Sequence, residues 1–240
     1  MSRIPDHPTD PRPAVLSATV ACLAAFGAAI VGSTGPVQRA PLLLAGIGSG
    51  LYACGIVLRR RRYRFVGRGA TIVGPLVVGG ALVGIIALSP PLPTMLPVIA
   101  CGLGVAFLTA GLFPIVVRWA RQCAVFGVVL LLGGVLANVV IAAPSIWRSA
   151  TAATLVVLSW DAADRAVSVG RELGAGATTA PVEVVRTVPS VLVGGMAVVL
   201  TVGASRIPTA GGTVFGVLLV LVATVAFTLV LSHIPHTSES

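Results

Sequence analysis

Residues 40–88 read APLLLAGIGSGLYACGIVL, then RRRRYRFVGR, then GATIVGPLVVGGALVGIIAL. Two uncharged apolar runs, Ala40–Leu58 and Gly69–Leu88, flank a short segment holding Arg59, Arg60, Arg61, Arg62, Arg64 and Arg68. A helix crossing the ~30 Å hydrocarbon core of a bilayer needs about 20 mostly apolar residues. Each run supplies that length. Arginine gathers on the cytoplasmic side of membrane helices, so this stretch predicts two spans joined by a basic cytoplasmic loop, 59–68.

The same reading extends to Ala14–Gly32, Met95–Val117, Ala124–Ala142, Val184–Gly203 and Thr213–Leu231. An eighth segment, about Ser145–Trp160, is shorter and carries Arg148, which can snorkel to the interface. If that segment lies in the interface instead, the count is seven. The expectation is an all-α, polytopic transmembrane helical bundle of about eight spans, a single integral-membrane domain over 1–240. Residues 1–13 and 232–240 form tails.

Composition agrees. Of 240 residues, 56% are hydrophobic and only 10% charged, and the mean hydropathy is +1.03. A soluble domain carries roughly 25% charged residues to wet its surface, so a soluble enzyme is excluded. All sixteen basic residues are Arg, against seven acids, for a net charge of +9. That excess reflects scarce acids and membrane topology rather than nucleic-acid binding. With the N-terminus inside, thirteen Arg residues fall on the cytoplasmic side; only Arg39, Arg148 and Arg206 fall outside. An even span count then puts both termini in the cytoplasm of a cell-membrane protein whose first span is retained. Trp119 and Trp160 fall at the inner interface and Trp147 at the outer one, where amphipathic rings are enriched.

The remaining polar chemistry is concentrated at 161–183. Asp161, Asp164, Arg165, Ser168 and Glu172 share one helical face, and Ala162, Ala166, Val169 and Leu173 line the other. This pattern predicts a cytoplasmic interfacial amphipathic helix continuing the sixth span. Asp161 and Arg165 stand i,i+4 with the acid first, the better orientation for an ion pair. After Gly174–Thr179 a new helix starts near Pro181, where Glu183 and Arg186 can pair at i,i+3. A proton or cation site at Asp161 and Asp164 is the functional alternative to a solvated, internally paired face.

Other motifs are sparse. Cys22, Cys54, Cys101 and Cys123 stand far apart in or beside apolar segments and are read as small apolar residues. His233 and His236 lack the partners a metal site needs, so no metal or cofactor is expected. Gly46 with Gly50, Gly80 with Gly84 and Gly212 with Gly216 form small-xxx-small pairs that let helices approach closely. Asn138 is the only Asn and can hydrogen-bond between helices. Pro75, Pro97, Pro114 and Pro189 are candidate kinks.

The polar hairpin also carries a resemblance. Trp160-Asp161, Gly170, Leu173-Gly174, Ala177, Thr179, Glu183, Val185, Ser190 and Gly194 are similar to a family of uncharacterised haloarchaeal membrane proteins. The Lys-free basic content fits a GC-rich genome of that kind. Members tend to be encoded beside a MoxR-type AAA ATPase and a von Willebrand A-like protein, which implies a membrane-associated assembly. The likeness departs at Arg186, where the family has His, and at Thr178, where it has an acid. It implies no activity.

Two function classes follow: a non-enzymatic membrane scaffold or assembly subunit docking a partner through Trp160–Arg186, and a small-solute transporter or channel. No internal repeat supports the second, and no mid-span carboxylate marks an ion path.

Overall fold

The computed structural model describes residues 15–60, 63–87, 92–114 and 117–173, with a few helical positions between 192 and 203. The chain divides into two compact units, Met1–Val202 and Gly203–Ser240. Six α-helices are described in the first: α1 (Val15–Gly32), α2 (Pro36–Arg60), α3 (Arg64–Ala87), α4 (Leu92–Leu112), α5 (Ala120–Ala142) and α6 (Ile146–Leu173). A short 3₁₀ turn, Val117–Trp119, leads into α5.

Helices α1 to α5 are long and apolar enough to cross a membrane. They correspond to the first five expected spans. Helix α6 is longer but holds Arg148, Asp161, Asp164, Arg165, Arg171 and Glu172, too much charge for that group. The expected seventh and eighth spans, Val184–Gly203 and Thr213–Leu231, lie outside the described residues apart from those few positions, as do the two tails.

Helix boundaries depart from the hydropathy reading where proline intervenes. Helix α2 begins at Pro36 rather than Ala40, since proline suits the first helical turn. Gln38 fixes that start by accepting the Thr34 backbone N–H at 2.9 Å and the Thr34 hydroxyl at 3.1 Å. Helix α4 ends at Leu112 rather than running to Val117. Pro114 therefore follows the helix instead of kinking it, because its ring clashes with the carbonyl four residues back and its nitrogen donates nothing. Pro41, Pro75 and Pro97 are inside helices.

Three antiparallel pairs build the bundle: α2 with α3, α4 with α5, and α1 with α6. Each is closed by small residues. Gly48 and Gly55 of α2 meet Gly74 and the Gly67–Thr71 turn of α3 backbone to backbone. Gly104 and Gly111 of α4 meet Gly127 and the Ala120–Ala124 turn of α5 in the same way, and Gly134 rests on Pro97 and Cys101. The glycines of each helix recur every seven residues, the period that keeps one seam facing a partner in a left-handed pair. In α1 the buried positions Ala18, Ala21, Ala25, Ala28 and Gly32 form the equivalent stripe. Gly32 lies against Ala152 of α6, and Gly27 against Leu155.

This corrects the expected glycine pairs. Gly46 does receive a neighbour, the ring of Phe26, but among the described residues nothing approaches Gly50, Gly80 or Gly84; Gly212 and Gly216 lie outside them. Without a strong hydrophobic drive between helices in lipid, close packing of small residues supplies much of the association. Helix α4 is the most enclosed of the five and α3 the least.

Candidate functional site

The polar side chains fall into three groups. The first closes the end of α1. A helix leaves its last four carbonyls without intrahelical donors; here the Ser33 N–H and hydroxyl meet those of Ala29 and Ile30, and two neighbouring helices meet the last two. Asn138 of α5, buried, donates its Nδ2 to the Gly32 carbonyl. Arg148 of α6 donates Nε to the Val31 carbonyl at 3.3 Å and Nη2 to the Ser33 carbonyl. The guanidinium thus meets the negative end of the α1 dipole. The interhelical bond expected of Asn138 is present. Arg148 has a more specific task than the expected snorkelling, since it ties α6 to α1.

The second group is on α6. Ala152, Val156, Ser159, Ala162, Ala163 and Ala166 form one buried stripe, while Asp164 and Ser168 are exposed. Arg165 Nη2 donates to Asp161 Oδ2 at 2.6 Å, with both side chains half-exposed. Helix α6 continues without a break from Ile146 to Leu173. The Gly32–Ala152 register, carried along α6 at about 1.5 Å per residue, brings Asp161 and Arg165 alongside α1 rather than past its first residue. The side chain of Glu172 and all of Glu183 and Arg186 lie outside the described residues, so the second expected pair does too.

The third group is the basic turn between α2 and α3. Arg59 and Arg68 are exposed, and Arg59 passes over Gly67, where a Cβ would meet its Cγ at 2.4 Å. Tyr63 and Phe65 are exposed beside them. Arg60 and Arg64 are helical, but their side chains, and Arg61 and Arg62 altogether, lie outside the described residues. Trp119, Trp147 and Trp160 are all outward-facing.

Among the described residues no His, Cys, Asp and Glu cluster could hold a metal ion. The four cysteines are free, and Cys22 Sγ lies 3.6 Å from Thr109 Oγ1. Sequence reasoning missed one further feature, a cavity among α2, α3 and α4 that Ser49 and Tyr52 help to line. Its only advance signal was the pairing of Ser49 and Tyr52 on one face of an otherwise apolar helix.

A helical bundle with five apolar helices long enough to cross a membrane, tied at the end of α1 by Asn138 and Arg148, has the build of a membrane protein. The chain belongs to DUF7519, a family of unknown function whose profile matches residues 75–228. That match takes in α4, α5, α6 and the polar hairpin. No curated protein and no solved structure is similar to the chain.

Proposed function

We propose that the protein is a non-enzymatic scaffold or subunit of a membrane-associated assembly, docking its partner through the cytoplasmic end of α6 and the hairpin after it. One observation carries the reading. The exposed carboxylate of Asp164 has no counterpart within the apolar lengths of α1 to α5, so acidic recognition is confined to α6 and the hairpin after it. In the full proposal the chain has eight spans and both termini in the cytoplasm of the cell membrane. It comes from a haloarchaeon, and its partner is a cytoplasmic AAA ATPase or von Willebrand A-like protein. Arg59 and Arg68, with Arg60, Arg61, Arg62 and Arg64, anchor the inner face to anionic lipid, worth about 1 kcal/mol per residue near such a surface.

Affinity purification from native membranes tests the docking role. Replacing Asp164 and Glu172 by Ala should release the partner while the chain stays folded; retention of every partner with a lower melting temperature would sink the idea. Single cysteines near Arg64 and in the C-terminal tail should resist an impermeant thiol reagent applied from outside.

A transport reading draws on a different observation, the Asp161–Arg165 pair beside α1 rather than beyond it. Solute flux in liposomes that Asp161→Asn abolishes would favour transport over the scaffold.

A further inference from the structure

The cavity among α2, α3 and α4 measures about 350 Å³ and is lined almost wholly by apolar groups, among them Pro75, Val78, Leu82 and Phe107. That is within the range of small-molecule sites, about 300–1,000 Å³. Ser49 also lines it, near the middle of α2. Ser49 is 5% exposed, and its hydroxyl is the single buried side-chain polar atom without a hydrogen-bond partner among the described residues.

The other helical hydroxyls show how unusual this is. Thr71, Thr109, Thr151 and Ser159 each donate to a carbonyl three or four residues earlier. Tyr52 and Thr109, which share the cavity wall, already donate to the carbonyls of Phe113 at 3.0 Å and Val105 at 2.7 Å. Among the described residues Ser49 is therefore the wall's one uncommitted side-chain donor.

We infer that this cavity binds a neutral, membrane-soluble lipid bearing a carbonyl oxygen, which accepts a hydrogen bond from the Ser49 hydroxyl. Among the described residues the lining carries no charged side chain to meet a phosphate. Ser49 also stands ten residues before Arg59, about 15 Å along the helix, too deep for a phospholipid head group. A mostly apolar site with one oriented polar group suits a quinone-like ring, and Phe107 and Pro75 supply flat surfaces for it. This inference is independent of the scaffold reading.

The experiment is photolabelling of the purified chain in phospholipid nanodiscs with an azido decyl-benzoquinone, followed by peptide mapping. Unlabelled decyl-benzoquinone and decylbenzene serve as competitors. Label should fall on the cavity walls of α2, α3 and α4, and the quinone should compete about five- to tenfold better than decylbenzene, the value of one neutral hydrogen bond. Ser49→Ala should erase that difference and Ser49→Thr should keep it. Gly79→Leu should abolish labelling, because Gly79 lines the cavity and a Cβ there meets nothing. Melting without probe checks folding: Ser49→Ala should melt no lower than the parent chain. Label scattered over lipid-facing residues, equal competition by the two compounds, or a quinone preference that survives Ser49→Ala would overturn the inference.

Discussion

Gly48 and Gly74 pack backbone against backbone across the α2–α3 pair: a Cβ on Gly48 would lie 2.7 Å from the Gly74 carbonyl oxygen, and one on Gly74 would lie 2.6 Å from that of Gly48. Neither obstacle is a flexible side chain, so the helices must separate to admit even a methyl group. Gly104 and Gly127 stand in the same relation across α4 and α5.

Substitution at these seams should therefore be costly, and harmless where a glycine faces open space. Gly74→Ala and Gly127→Ala are expected to destabilise the chain by about 1–3 kcal/mol through overpacking. Gly80→Ala should be neutral or stabilise by up to about 1 kcal/mol, since alanine is the better helix former and the space is open. Thermal melting of the three variants in one detergent checks the contrast; equal losses at all three would show that the seams are not where the helices meet.

Asn138→Ala and Arg148→Met each remove donors from the last carbonyls of α1. In membrane bundles an interhelical hydrogen bond is worth roughly 0.6–2 kcal/mol, so each variant should lose about that much. The two donors serve the same helix end, so the double variant should lose less or more than the two single losses combined. A double-mutant cycle by denaturation reads the coupling, and strict additivity would argue against a shared clasp.

Asp161→Asn removes one partner of a half-exposed i,i+4 ion pair. Such pairs are worth about 0.3–0.5 kcal/mol in helices, so the melting temperature should fall only slightly. Asp164→Ala should leave it unchanged, because Asp164 is exposed. A large loss for Asp161→Asn in bilayers but not in detergent would show that hydrocarbon surrounds the pair.

Ala143 ends α5 in the left-handed region, at φ 41° and ψ 55°, with its N–H on the Val139 carbonyl at 3.2 Å. Alanine is strained there by roughly 1–2 kcal/mol and glycine is not. Ala143→Gly should raise the melting temperature, and an unchanged or lower value would contradict the strain.

Much of the fold was legible because membrane helices announce themselves by length. Twenty uncharged residues can satisfy their backbone in hydrocarbon only as a helix, so hydropathy alone located the five membrane-length helices. The Asp161–Arg165 pair was legible for a similar reason, since residues four apart on a helix are neighbours whatever the surroundings. Pro114 shows the limit of hydropathy: the apolar run continues through it, but the hydrogen-bond ladder does not.

The pairing of helices was a different matter. A bilayer surrounds every helix with apolar chains, so periodic hydrophobicity says little about which face meets which neighbour. The seven-residue spacing of Gly48 and Gly55, or of Gly104 and Gly111, is written in the sequence. Yet the chain holds 28 glycines, and four-residue spacings such as Gly80 with Gly84 look equally suitable. Which pairs close a seam depends on the facing helix, as does the reach of Asn138 and Arg148 to carbonyls more than a hundred residues away. The same holds for Ser49, whose unmet hydroxyl exists only because α2, α3 and α4 enclose it without supplying an acceptor. Composition and local spacing determined that this chain is a bundle of membrane-length helices with its charge held outside the long apolar runs; side-chain shape across helix pairs, which no local pattern encodes, decided its seams, its clasp and its cavity.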